Sequence, residues 1–176
     1  MNCFVVIRHG ESVNNAKELI TGQQDVELSK KGIEQAKNLA LELEQFSFDV
    51  AYCSMLKRSY DTAKYIYRGE IIKDERLNER KIGIYENQHW NSIDWSNFDN
   101  INTTVAYDDV ELLSSIYQRV SLFLDELNSK HKDETILISC HAGTIRCINA
   151  YFNGIPESGV LEVPVIKNCS YLIFEK

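Results

Sequence analysis

The sequence predicts an α/β fold: a single-domain three-layer sandwich whose mostly parallel sheet carries helices on both faces. Three observations lead there. Four short segments rich in β-branched, aromatic and Cys residues, "CFVVIR", "FDVAYCS", "TILISC" and "SYLIFE", read as buried strands. None clearly alternates, as expected of a sheet covered on both sides. Helical patterns lie between them, and alternation of strand and helix marks parallel crossovers. The 176 residues, 44% apolar and 26% charged, suffice for one ordinary domain with its own core.

Taken in order, the first strand runs into "RHGESVNN", so a buried apolar run stops at Arg8, His9 and Gly10. The first helix is expected in "LSKKGIEQAKNLALELEQF", with Ile33, Ala36, Ala40 and Leu43 on one face and Ser29 as its cap. The helical "LKRSYDTAKYIY" follows the second strand, and "EIIKD" is a candidate fifth strand. Residues 85–109 have no clear period; polar and aromatic, they read as a lid-like insertion within one domain spanning 1–176. "ELLSSIYQRVSLFLDELNSK" repeats apolar residues at helical spacing from Leu112 to Leu127, and "GTIRCINAYFNG", after the next strand, stops at Gly154.

Whole-chain properties exclude several classes. A net charge of -7 repels nucleic acid and anionic membrane surfaces. No apolar run reaches membrane-spanning length, and Met1 leads within two residues into a strand rather than a secretory leader. Five cysteines without a CxxC pair read as reduced, buried thiols of a cytoplasmic protein. No histidine pair has metal-ligand spacing, so neither metal nor cofactor is expected. His89 and His131 lie in polar stretches and read as solvated, and no oligomeric state follows from the residues.

In open α/β sheets, ligands bind beyond the carboxyl ends of the strands. After the first strand stand Arg8 and His9. After the second, "CSMLKRS" places Arg58 in the first turn of its helix. After the third buried strand comes His141, then two small residues. One strand-end histidine is a weak signal; two histidines and two arginines at corresponding strand ends are hard to reconcile with chance.

On these residues the chain resembles the histidine phosphatase superfamily, which includes phosphoglycerate mutases. Arg8-His9-Gly10-Glu11-Ser12, with Asn15, is similar to its signature. "TGQQDVELSKKG", "CSMLKRSYDTA", "LNERKIG" and "SCHAGTIR" follow in the family's order over nearly the whole chain. The resemblance implies metal-independent hydrolysis of a small-molecule phosphomonoester. His9 would attack phosphorus, and Arg8, Arg58 and His141 would surround the equatorial oxygens. Asn15 and backbone N–H groups near Thr21, Gly22, Ala142 and Gly143 would complete the cradle. Glu79 would protonate the leaving oxygen and then activate water. The residue types make physical sense of this. A neutral imidazole is nucleophilic near neutral pH without a separate base. Fixed positive donors suit a transition state whose charge spreads over three oxygens. Gly10 and Gly143 are expected to let backbone approach the phosphate. Glu86 has a weaker claim, as a structural partner. Glu86-Asn87 stands where many relatives have Glu-Gly, so the turn there is expected to differ.

Rival readings remain at this point. "CHAGTIR" is also Cys140, five residues, Arg146, which resembles the phosphate loop of cysteine-dependent protein tyrosine phosphatases. Ser139 and Cys147 depart from that pattern, and chance alone predicts about 0.2 such pairs in a chain of this composition. A non-catalytic phosphate-binding module would not need the full set of His9, Arg8, Arg58, Glu79 and His141. Against mutase-type transfer, no Lys or Arg falls between Lys81 and Arg119, and that stretch is acidic and aromatic. Such a roof suits a neutral leaving group with a ring to stack. Trp90, Trp95 and Phe98 either line the pocket or pack the insertion. Arg68, Arg119 and Arg146 read as surface or packing residues.

Overall fold

The computed structural model describes residues 1–176 except 107–108 and 163–165. Its sheet is built from β1 (Cys3–Arg8), β2 (Val50–Cys53), β3 (Ile71–Lys73), β4 (Thr135–Cys140) and β5 (Tyr171–Glu175), in the order β3-β2-β4-β1-β5. The first four are parallel; β5 runs antiparallel to β1. Helices α1 (Lys30–Glu42), α2 (Lys57–Ile66), α3 (Leu113–Lys130) and α4 (Ala142–Asn153) follow in chain order. The candidate strand "EIIKD" is β3.

The unbroken apolar runs are two faces' worth of core, because successive strand residues point to opposite sides. Val5, Ile7, Ala51 and Leu137 face Leu39 and Leu43 of the α1 side. Phe4, Val6, Ile136 and Ile138 face Phe123 and Leu124 of α3 and Ile145 and Ile148 of α4. The carboxyl ends are level: Arg8 pairs with Cys140, and Cys53 with Ser139. Register alone therefore sets His9, Ser54 and His141 side by side.

Three expectations change. "SYLIFE" is an edge strand rather than a doubly covered one: Phe174 is buried while Ile173 is exposed. The buried stripe of α1 is Gly32, Ala36 and Leu39, with Leu43 just beyond, whereas Ile33 and Ala40 are only half-buried. Gly32 sets that rotation. A Cβ there would lie 2.0 Å from the Glu11 carbonyl oxygen, and one on Gly10 would lie 2.5 Å from the Gly32 oxygen. Gly10 is thus demanded by the helix behind it. The Ser29 cap forms as expected, its Oγ accepting the Gly32 N–H at 3.0 Å. His131 is buried, not solvated. At the far end of the sheet its Nδ1 meets Glu134 at 2.7 Å and its Nε2 meets the Tyr52 hydroxyl at 2.9 Å.

Residues 85–109 carry short 3₁₀ turns at Trp90–Ser92 and Trp95–Asn97. Tyr85, Ile93, Trp95 and Phe98 pack with Ile20, Ile82 and Val110 as a third apolar cluster. Asn87 takes a left-handed φ of 65°. Gly adopts that conformation most readily and Asn next, so Asn87 supplies the backbone that Gly would.

Candidate active site

The strand ends open into a cavity of about 560 Å³. His9 follows β1, its N–H still bonded to the Cys140 carbonyl. The residue is 4% exposed. Nδ1 lies 2.7 Å from the Gly10 carbonyl oxygen. A carbonyl only accepts, so Nδ1 carries the proton and Nε2 keeps its lone pair. The Arg58 Nε–H points at that Nε2 from 3.3 Å. The loop is fixed from below: Gly10 N–H donates to Thr62 Oγ1, whose hydroxyl donates to the Arg58 carbonyl.

Arg58 is 1% exposed. Its two terminal nitrogens each donate at 2.7 Å, to the carbonyls of Gln24 and Gly22. One side chain thus straps the 21–24 loop to the floor and directs Nε at His9. Gly22 has a φ of 54°, and a Cβ there would lie 2.6 Å from Glu86 Oε1. Glu86 Oε1 also accepts the Gln23 N–H, which makes it the structural partner expected of it. Arg8 donates through NH1 to the Ile166 carbonyl.

His141 is wholly buried, and its ring centre is 5.0 Å from that of His9. Nε2 is 2.7 Å from Ser54 Oγ. That oxygen also accepts the Leu56 N–H, and Nε2 is the acceptor given to its own proton; with Nε2 accepting, the ring proton of His141 lies on Nδ1. Burial and then the Arg58 charge hold both imidazoles well below the usual histidine range. Burial also lowers Arg58, to about 10, which leaves it charged at neutral pH.

These shifts carry a sign for stability. Unfolded imidazoles take up protons as pH falls through about 6.5, while the folded His9 and His141 refuse them. The unfolded state then binds more protons, so stability falls as pH drops below that value and is unaffected by these groups above it. His141→Asn should lose less Tm than the native protein between pH 7 and pH 5.5 in thermal melts.

Glu79 sits at the cavity edge. Its Oε1 accepts the Arg80 N–H at 2.8 Å and its Oε2 the Gly143 N–H at 3.3 Å. A Cβ on Gly143 would lie 2.5 Å from Glu79 Oε1, so Gly143 makes room for the carboxylate, and its N–H holds that carboxylate rather than standing open for an anion. Gln23 and Arg119 both donate to the Glu79 carbonyl, and Arg119 also pairs with Glu111 at 2.9 Å. Arg119 is therefore a strut of this segment. Thr21, Gly22, Ala142 and Asn15 line the cavity. Asn15 Oδ1 is taken by the Ser12 N–H and by Asn168, which leaves its Nδ2 to donate.

Several neighbours lie outside the expected catalytic and phosphate-binding set. Asn168 Nδ2 donates to the His9 carbonyl at 3.1 Å and to Asn15 at 3.3 Å. It precedes a strand instead of following one, and antiparallel β5 brings its preceding residues to the same rim. Arg146 lines the cavity, 32% exposed, and pairs with Asp99; it is no mere surface residue. His89 lines the mouth and meets Glu18 at 3.1 Å. Trp90 and Trp95 line it as a stacked pair, ring centres 4.2 Å apart, whereas Phe98 packs beneath. The cysteine rival does not survive. Cys140 is fully buried, burial pushes its thiol far up, and Arg146 is engaged elsewhere.

An α/β fold with paired neutral imidazoles, buried arginines and a tethered carboxylate at one sheet rim defines an enzyme of phosphoryl chemistry. The family description "Histidine phosphatase superfamily (branch 1)" matches residues 4–176, and the chain belongs to that family. It is 31% identical to phosphoserine phosphatase 1 of Hydrogenobacter thermophilus, over 88% of this chain and 78% of that one. It is 28% identical to a 2,3-bisphosphoglycerate-dependent phosphoglycerate mutase of Staphylococcus epidermidis, over 98% and 93%. Among solved structures, Bacillus stearothermophilus YhfR superposes with a TM-score of 0.87 at 26% identity, over 99% of this chain and 91% of that one.

Proposed function

We propose that the chain is a metal-independent hydrolase of small-molecule phosphomonoesters that works through a phosphohistidine on His9. One observation carries this reading. Among the described residues, four buried side-chain polar atoms lack a hydrogen-bond partner. Three of them belong to this site: Arg8 Nε, Thr21 Oγ1 and His141 Nδ1. Buried polar groups are normally satisfied. Two nitrogen donors and a hydroxyl left open beside a neutral imidazole suit the oxygens of a phosphoryl group.

His9 Nε2 attacks phosphorus as the bond to the leaving oxygen breaks, and Glu79 gives that oxygen its proton. Water then attacks the phosphohistidine, Glu79 takes the water proton, the P–N bond breaks and phosphate departs. The positive ends of Arg8 and Arg58 and the Ala142 N–H that opens α4 stabilise the spread charge in both steps. The insertion around residues 85–109, of which 107–108 lie outside the described residues, acts as a lid over one catalytic domain. The five thiols are all unpaired, which suits the cytoplasm; the net negative charge disfavours nucleic acid and anionic membrane, and the arginines lining the pocket suit a small phosphate. No helix of the described residues is long and apolar enough to cross a membrane.

Release of inorganic phosphate from a panel of metabolite phosphates, with chelator present, tests the reading. Activity that vanishes with chelator would refute it. The role of Glu79 has its own test. An alkoxide needs a proton to leave and a nitrophenolate does not. In Glu79→Gln, phosphohistidine formation, read by rapid quench, should fall much further for an alkyl phosphate than for nitrophenyl phosphate. Equal losses would make Glu79 a holder of the pocket.

A further inference from the structure

We propose that Asp99 is a specificity gate on the leaving-group side of the cavity. By occupying Arg146 and Arg80, it turns away phosphomonoesters whose leaving group carries a carboxylate and admits those whose leaving group carries no charged group. The inference rests on the phosphatase reading and names the residue that sets its substrate class.

The absence of cations between residues 81 and 119 suggests a wall without positive charge. The structure overturns that premise, because Arg80 and Arg146 reach the cavity wall from outside the stretch. Two guanidiniums beside a phosphoryl site would make a ready carboxylate receptor. The insertion itself supplies the carboxylate: Asp99 Oδ2 lies 3.2 Å from Arg146 NH1, and Oδ1 lies 3.6 Å from Arg80 NH1. Glu18 adds a second negative charge at the mouth. Arg80 also has the negative charges of Glu79 and Glu111 beside it, so the two cations are balanced without a ligand.

Arg80 is immobilised, because its Nε donates to the Glu111 carbonyl and its side chain is buried. Arg146 is the one with an open flank. Asp99 cannot swing aside freely. Its N–H is held by the Trp95 carbonyl, Phe98 before it packs in the lid's apolar cluster, and Ile101 after it is buried and bonded to Gly159. A substrate carboxylate would have to displace a tethered one at high effective concentration and approach its charge. An uncharged body meets instead the flank of the Trp90–Trp95 stack.

Glycerol 3-phosphate and 3-phosphoglycerate test this, since they differ by a hydroxymethyl group against a carboxylate. The native protein should favour glycerol 3-phosphate in both kcat/KM and calorimetric affinity. Asp99→Asn should shift both ratios toward 3-phosphoglycerate by roughly 10- to 100-fold, the worth of one charge-assisted hydrogen bond. Asp99→Glu keeps the charge and should keep the native ratio. Asp99→Asn/Arg146→Gln should lose the shift, which separates a gate from a general loosening of the lid. An unchanged ratio in Asp99→Asn, or native protein that favours 3-phosphoglycerate, overturns the gate. If nothing turns over, the hydrolase reading fails, and the affinities still decide the gate.

Discussion

His9→Ala protein should form no acid-labile phosphoenzyme and should hydrolyse phosphomonoesters slower by on the order of 10⁴-fold or more, the scale of losing a nucleophile. The reason is in the ring's bonding. Nδ1–H is committed to the Gly10 carbonyl at 2.7 Å, so Nε2 alone holds a lone pair. No neighbour can take its place: His141 presents a protonated Nδ1, and Cys140 is sealed in the core. Arg8, Arg58 and Thr21 remain, so the variant should still bind inorganic phosphate, seen by calorimetry. Rapid-quench labelling followed by acid treatment reads the intermediate. A label that persists in His9→Ala would move the nucleophile elsewhere and end the phosphohistidine reading.

Arg58→Ala should slow turnover by roughly 100- to 1000-fold, the usual loss for one transition-state donor. It should also destabilise the fold, which a residue that served only catalysis would not do. Its removal strands the Gly22 and Gln24 carbonyls, each held at 2.7 Å in the native protein. Each stranded group costs about 1–3 kcal/mol if water does not replace the guanidinium. Arg58→Lys sharpens the test. A lysine restores the charge, but a single ammonium cannot reach two carbonyls and His9 Nε2 at once. Its Tm should therefore stay below native, and turnover should recover only in part. Normal turnover in either variant would remove Arg58 from the site.

The contrast between these residues and Asp99 separates what was legible from what was not. Arg8, His9, Arg58 and His141 could be read from the chain because each ends or directly follows a strand or opens the next helix. Parallel strands in a common register must bring such positions together, so local pattern implies proximity. The buried runs of β1 and β4 and the Ser29 cap were legible for the same reason: period and capping act within a few residues. The rotation of α1 was not, because it depends on Gly32 lying against Gly10 and Glu11, a contact between distant segments.

Asn168 was hidden by strand direction, since only the antiparallel pairing of β5 with β1 turns the approach to a strand into part of the rim. The tautomer of His141 depends on Ser54, 87 residues away. The charge of the leaving-group wall was hidden most deeply. Composition correctly showed that the lid carries no cation between Lys81 and Arg119, yet the wall holds Arg80 and Arg146. Sequence counts charges along a chain, whereas a cavity gathers them through space. Asp99 acquires its meaning only when Phe98 and Ile101 bury themselves on either side and hold its carboxylate against two guanidiniums.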